Sequence, residues 1–252
     1  MSLLSFQRAL GDLIASPNLC LLARSNFEVT MEHYQLSDRE QRRLREICSQ
    51  RGMAVNCTLY RSNRITPLYT LMPLTCEALG DNFFPLVCLF WESNGNSDLQ
   101  YHREIQRFGE FLQDQLAKGE LDHPILEEVV NYELAVNCLR FISSKSHEDK
   151  TFRGPGLNPS ARLCLHPMLR LVRFKHNPVT ILEHLSQRTP LPSSLNCGDF
   201  DVLLDIKRGE LEVKLIDRRL AVLLQDLLDG RVQIGHKEVA ELLEEGFAAI
   251  SS

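Results

Sequence analysis

The sequence lacks the short signatures that identify most enzymes. It contains no glycine-rich phosphate loop, no His-Glu-x-x-His motif, no nucleophile elbow and no deaminase signature. Eight cysteines are present, but none forms a Cys-x-x-Cys pair and their wide spacings match no zinc pattern. These motifs therefore assign no catalytic, metal-binding or cofactor-binding residues to this chain, and we expect most of its thiols to be small apolar core side chains.

Two weaker chemical candidates remain. Cys164 and His166 alternate along a predicted strand and could supply two metal ligands from one face, but no second pair lies nearby in the sequence. Cys76 could act as a nucleophile, although its own segment offers no base to activate it. For both candidates a structural role is the simpler interpretation.

Long apolar runs are also missing. Runs such as PLVCLFW are too short to cross a bilayer, and the opening MSLLSFQRAL lacks the pattern of a secretory signal. The sequence therefore predicts a cytoplasmic protein that does not bind a membrane.

The composition is that of a folded chain. Of the 252 residues, 44% are hydrophobic and 24% are charged, which supports a sizeable core and favours two domains over one. The net charge of −5 argues against a general nucleic-acid binder. Residues 150–182 nevertheless contain cations and no carboxylate, whereas four glutamates lie between Glu238 and Glu245. This asymmetry indicates an acidic partner near the middle of the chain.

The periodicity divides the chain at a polar segment. Apolar residues recur at helical spacing over residues 1–145, which predicts a helical domain. Residues 146–161 contain Gly-Pro-Gly and predict a linker. Residues 162–252 predict three strand segments, with a hairpin at Arg208-Gly209, followed by two helices. The fold class is therefore α+β, with a helical N-terminal domain and a small winged module like those that recognise peptides.

Specific signals refine the helical part. Ser16-Pro17 ends the first helix, and Ser37 with Glu40 predicts a capping box that starts a later helix, with Gly52 at its end. We expect Pro67 to break or kink the helix that contains Tyr60.

The segment YRSNR predicts a protein interface. Tyr60 and Arg64 are four residues apart and share a helix face, with Arg61 and Asn63 beside them. Tyrosine and arginine are enriched at protein interfaces. The alternative is an ordinary solvated helix face.

The basic segment LRLVRFKH is the candidate peptide-binding strand. If it lies at a sheet edge, it could pair with an extended acidic peptide through its main chain. The predicted contact residues are Leu169, Arg170, Leu171, Arg173 and Lys175. Exposed arginines on the wet side of a sheet are the alternative interpretation.

Five segments together resemble a known family. FQRAL, YRSNRITPLYTLMPLTCEALGDNFF, HREIQRFGEFL, ILEEVVNYELA and RRLAVLLQDLLDG are similar to segments in the helical partner subunits of multinuclear-iron peptide oxidases, and most of all to the MbnC family of methanobactin biosynthesis. The resemblance covers nearly the whole chain.

The resemblance implies a non-catalytic subunit of a heterodimer. Its partner would be a TIM-barrel protein that holds the iron, and the pair would modify cysteines of a ribosomally made precursor peptide, forming oxazolone and thioamide groups in the methanobactin case. It places Tyr60, Arg61, Asn63 and Arg64 in the segment expected to contact the barrel. Leader-peptide binding would fall on the C-terminal sheet.

A different class of function stays open. A hairpin followed by two helices also suits a winged-helix DNA-binding regulator with a helical sensor domain. Its recognition helix would be HKEVAELLEE, whose acidic side chains would repel phosphates.

Overall fold

The computed structural model describes residues 3–94, 100–146, 162–230, 242 and 246–251. Most of them are helical, and a three-stranded antiparallel sheet with flanking helices forms the C-terminal part, which confirms the predicted α+β class. The predicted linker at 146–161 lies, apart from its first residue, outside the described residues. None of the described helices is both long and apolar enough to span a membrane.

The elements follow in chain order. The helices are α1 (Leu3–Ala15), α2 (Pro17–Ser25), α3 (Phe27–Met31), α4 (Asp38–Ser49), α5 (Arg51–Leu71), α6 (Pro73–Leu79), α7 (Phe83–Ser93), α8 (Tyr101–Ala117), α9 (Leu126–Ser146), α10 (Pro178–Gln187) and α11 (Arg218–Leu228). The strands are β1 (Arg162–Leu165), β2 (Leu169–His176), β3 (Cys197–Asp205), β4 (Glu212–Ile216) and β5 (Ala248–Ser251).

Local signals define several helix ends. Ser16 separates α1 from α2 and accepts a hydrogen bond from Leu19 N, as an N-cap residue should. The capping box of α4 is confirmed, since Ser37 and Glu40 each accept a hydrogen bond from the other's backbone N–H. Gly52, however, does not end α4, because it lies in the first turn of α5.

The expected break at Pro67 does not occur. Helix α5 runs through Pro67 to Leu71. Proline removes one backbone donor, which leaves the carbonyl of Asn63 without its usual helical partner. Asn63 is exposed, whereas Pro67 and Leu68 are buried, so the packed side of the helix keeps its contacts and the missing bond falls at an exposed residue.

The central sheet has the order β2-β3-β4, and all its pairs are antiparallel. The predicted hairpin at Arg208-Gly209 is confirmed between β3 and β4, where Gly209 adopts a positive φ of 88°. Strand β1 instead pairs with β5 in a separate two-stranded sheet. The prediction of a helix over HKEVAELLEEGFAAI is therefore wrong at its end, because Ala248–Ser251 pair with β1; residues 236–241 and 243–245 lie outside the described residues.

Both faces of the sheet are covered at β2 and β3. Val172 and Phe174 of β2 pack with α9 and α10 in one apolar cluster, whereas Leu169 packs with α11 and β5 in another. This follows from the alternation of side chains along a strand. Strand β3, whose neighbours on its two faces belong to these two clusters, is buried from Asp201 to Asp205, whereas β4 is exposed or half-buried throughout.

The described residues fall into two compact units. One lies within Met1–Leu71 and Gly80–Phe111, and the other lies within Met72–Leu79 and Leu112–Ser252. This division differs from the predicted one at residue 145, because α9 packs against β2 and α6 packs against α9. The helical pattern of α9 gave no indication of the sheet that it covers.

Candidate functional site

The predicted interface residues of α5 do not share one exposed surface. Arg64 is only 2% exposed, Tyr60 and Arg61 are half-buried, and Asn63 is exposed. Arg64 therefore lies inside the unit that comprises Met1–Leu71 and Gly80–Phe111, and it is not part of the surface of that unit. The spacing correctly put Tyr60 and Arg64 together, since the Arg64 guanidinium lies 5.9 Å from the Tyr60 ring centroid.

Arg64 forms a buried ion pair with Glu104 of α8. The Nε of Arg64 donates to Oε1 of Glu104 at 2.6 Å, and both side chains are 2% exposed. The guanidinium also lies 5.4 Å from the ring centroid of Phe90 and 5.5 Å from that of Trp91. Aromatic faces attract a cation, so this environment compensates for part of the water that the guanidinium has lost.

The sequence itself contains a signal that Glu104 needs a partner. Glu104 lies on the same face of α8 as Phe108, four residues later, which is fully buried. A carboxylate on an apolar helix face is costly to bury without a partner. A partner of opposite charge was therefore to be expected for it.

The exposed face of α5 is made of other residues. Val55, Leu59, Ser62, Thr66 and Tyr69 recur every three or four positions and are all exposed. Val55 and Leu59 are each more than half exposed. This face combines apolar side chains with a tyrosine and hydroxyl groups, as protein interfaces commonly do.

Strand β2 lies at an edge of the central sheet. Among the described residues it pairs only with β3. Ile206 N donates to Met168 O, and the antiparallel register then gives residues 170, 172 and 174 the hydrogen bonds to β3. The N–H and C=O groups of Leu171 and Arg173 point away from β3. A further strand could pair there.

The cations of β2 are already paired within the fold. Arg173 Nε donates to Oδ1 of Asp201 at 3.2 Å, and Arg218 donates to the other carboxylate oxygen at 3.1 Å. Lys175 donates to Glu127 at 2.9 Å. These contacts fix the cations near the edge of the sheet, although the Arg173 and Lys175 side chains remain about half or more exposed.

The two remaining peptide-site candidates differ in accessibility. Leu169 is fully buried and contributes to the α11 side of the core, so its side chain cannot reach a ligand. Leu171 is half-buried on the same side. Arg170 faces α9, where it donates to Cys138 Sγ and to the carbonyls of Pro167 and Leu169. Side-chain recognition on β2 would therefore depend on Arg173 and Lys175.

Glu133 of α9 is a buried carboxyl group at the start of α6. Its two oxygens accept hydrogen bonds from Leu74 N at 2.8 Å and Thr75 N at 2.7 Å. Burial raises the pKa of Glu133 to about 7, against the opposing effect of these two donors. The group thus titrates near neutral pH while it ties α6 to α9.

The chemical candidates do not converge on a reactive site. Cys76 is buried, and burial together with the nearby Glu133 raises the pKa of its thiol to about 12, so the nucleophilic thiolate is disfavoured. His166 Nδ1 accepts from Met168 N and thus supports the turn between β1 and β2. Within the described ranges, no group of three or more His, Cys, Asp or Glu side chains is arranged to hold a metal.

Comparison with the known protein families and with curated proteins finds no match to this chain.

Proposed function

We propose that this chain is the non-catalytic, peptide-binding subunit of a cytoplasmic iron-dependent oxidase that modifies cysteines of a ribosomally made precursor peptide. The chain binds the leader of that peptide and presents it to a TIM-barrel subunit, which holds the iron. The iron and dioxygen supply the oxidising chemistry in the barrel subunit. The residues of this chain bind and orient the peptide.

The observation that most strongly supports this proposal is the edge position of β2. An extended leader can add to β2 as a further antiparallel or parallel strand, with the main-chain groups of Leu171 and Arg173 as its partners. Arg173 and Lys175 remain exposed enough to interact with acidic side chains of the leader. The main chain provides affinity, and these two cations add charge complementarity.

The exposed face of α5 is the proposed contact with the barrel subunit. Val55, Leu59 and Tyr69 provide apolar and aromatic area there, and Asn63 lies beside them. This keeps the predicted segment as the docking element but changes the residues that make contact. Arg64 would act indirectly, because its buried pair with Glu104 anchors α5 to α8.

The proposal is tested by purifying the tagged chain from its native cells and measuring its partners and metals. We expect a barrel protein in one-to-one ratio, with iron that stays with the barrel when the two are separated. Leu59→Glu should abolish this association, because it places a charge in the apolar contact. Glu46→Lys on α4, at an exposed position away from that face, is the matched control.

Two outcomes would overturn the proposal. If the separated chain retains iron, the proposal is wrong to place the metal in the barrel subunit. Recovery of the chain without a barrel partner but with salt-sensitive affinity for duplex DNA would instead support the winged-helix regulator, because such affinity reflects contacts with phosphates.

A further inference from the structure

Strand β4 forms the second edge of the central sheet, opposite the β2 edge. Among the described residues it pairs only with β3. The hydrogen-bond pattern between β2 and β3 leaves Leu203 to bond towards β4, because its two neighbours on β3 bond towards β2. Leu203 lies opposite Lys214, so the N–H and C=O groups of Val213 and Leu215 point away from β3. These backbone groups are available to a further strand.

The exposed apolar side chains of β4 lie on one face of the sheet. Val213 is 46% exposed and Leu215 is 58% exposed. They lie opposite Leu204 and Val202 of β3, which belong to the apolar cluster formed with α9 and α10. Leu211, directly before β4, packs against the same cluster. The apolar face of the sheet therefore continues to the β4 edge, where the described residues leave it exposed.

The other face of β4 carries one charge of each sign. Lys214 Nζ lies 2.5 Å from Glu212 Oε2, and the two side chains are 52% and 36% exposed. An antiparallel second copy that places Val213 opposite Val213 also places Glu212 opposite Lys214 of that copy, and the reverse pair forms by symmetry. Opposite charges that face each other across two strands are stabilising. The edge is therefore complementary to itself in charge.

The apolar residues and the charges favour the same register. With Val213 opposite Val213, Leu215 lies opposite Leu211 of the second copy on the apolar face. A shift of two residues in one direction places Lys214 against Lys214, and the same shift in the other direction places Glu212 against Glu212. Like charges directly opposite each other are destabilising. The charged side chains of β2, by comparison, are all basic, so that edge is not complementary to itself.

We propose that two copies of this chain associate by antiparallel pairing of their β4 strands, which joins their central sheets into one. The backbone groups of Val213 and Leu215 form the new hydrogen bonds, and Glu212 and Lys214 form reciprocal ion pairs. An interface with two-fold symmetry closes after two copies, so the association ends at a dimer. The inference does not depend on the proposed function, because the β2 edge of each copy stays open.

Sedimentation equilibrium of the full chain over micromolar concentrations tests the proposal. We expect a single reversible step from monomer to dimer. Lys214→Glu should weaken the dimer at least about tenfold, because it places carboxylates opposite each other at two symmetric positions, and Glu212→Lys should act alike with ammonium groups. Lys118→Glu is the matched control, since Lys118 is also exposed and paired with a carboxylate of its own chain, and it should leave the dimer unchanged.

Exchanging the charges tests the register. The double variant Glu212→Lys/Lys214→Glu should recover the affinity of the natural chain, because every opposed pair again has opposite signs. An equimolar mixture of the two single variants should form a heterodimer, although each variant alone associates weakly. Circular dichroism checks that all variants are folded, which we expect because an exposed ion pair contributes little to stability.

Four results would overturn the proposal. The natural chain could stay monomeric over the whole concentration range, or Lys214→Glu could dimerise as well as the natural chain. The folded double variant could fail to recover the dimer. Open-ended polymers would also contradict the proposal, because they would indicate that β4 pairs with the β2 edge of the next copy.

Discussion

At the scale of single residues, the Arg64–Glu104 pair governs how α5 is held. Both side chains are almost completely buried, yet Nη2 of Arg64 and Oε2 of Glu104 have no hydrogen-bond partner among the described residues. A buried ion pair with unsatisfied atoms contributes little net stability over an apolar pair. It nonetheless makes each partner strongly dependent on the other.

The first prediction concerns the loss of one partner. Glu104→Leu should lower the free energy of unfolding by about 3–5 kcal/mol, because it leaves the Arg64 charge buried and uncompensated. Urea denaturation followed by circular dichroism measures this. Glu110→Leu, an exposed position on the same helix, is the matched control and should change stability by less than about 0.5 kcal/mol.

A double variant completes this test. Arg64→Met combined with Glu104→Leu removes both charges and should recover most of the lost stability, since apolar replacements of buried pairs are often neutral or stabilising. If the single and double variants were equally unstable, packing rather than charge would be the cause.

The second prediction concerns Glu133 and pH. Its pKa is raised by burial from 4.5 to about 7, so the folded chain keeps a proton that the unfolded chain has lost over this interval. The contribution of this proton uptake by Glu133 to the free energy of unfolding is fully present below pH 4.5 and is lost as the pH rises through 7. The free energy of unfolding then falls with a slope of at most about 1.4 kcal/mol per pH unit.

Glu133→Gln removes this titration. The difference in unfolding free energy between the natural chain and the variant should therefore shift in favour of the variant as the pH rises from 4.5 to 7, and level off above that. A constant difference between the natural chain and Glu133→Gln at all pH values would show that Glu133 does not titrate in this range.

At the scale of elements, α4 depends on its N-terminal cap. Ser37 Oγ accepts from Glu40 N, and Glu40 accepts from Ser37 N at 2.8 Å. Ser37→Ala should lower the free energy of unfolding by about 0.5–2 kcal/mol. Ser49→Ala, at the other end of α4, is the control, and equal effects of the two substitutions would show that the cap contributes nothing specific.

Elements set by neighbouring residues were predictable from the sequence. The Ser37–Glu40 box and the turn at Gly209 need only local chemistry, and both are present. Strand β5 was predicted as helix because its small and apolar residues fit either pattern, and only its pairing with β1 decides between them. The burial of Arg64 likewise depends on Glu104, forty residues away, which helical spacing around Tyr60 cannot indicate.

At the scale of the whole molecule, packing between segments that are distant in the sequence determines which residues belong to each compact unit. Helix α9 has the pattern of a helical domain, but its apolar side chains pack against β2 and α10. Residues of one continuous helical series thus belong to two units. The fold class followed from the sequence because it depends on element types, whereas the division of the chain depends on which faces meet.

The β2 edge allows a prediction about the peptide itself. A leader that adds to β2 directs every second N–H towards the strand and the others away from it. Methylation of single backbone nitrogens in the peptide should therefore weaken binding strongly at alternate positions and little at those between. Uniform weakening at all positions, measured by calorimetry, would indicate recognition by side chains alone.

The central claim is tested most directly by residue-specific amide hydrogen exchange of this chain, by nuclear magnetic resonance, with and without the precursor peptide that co-purifies with the complex. The account predicts new protection at Leu171 and Arg173, whose N–H groups point away from β3, and little change at Val172, which already pairs with β3. Unchanged exchange along β2, with protection appearing on β4 or α11 instead, would contradict it.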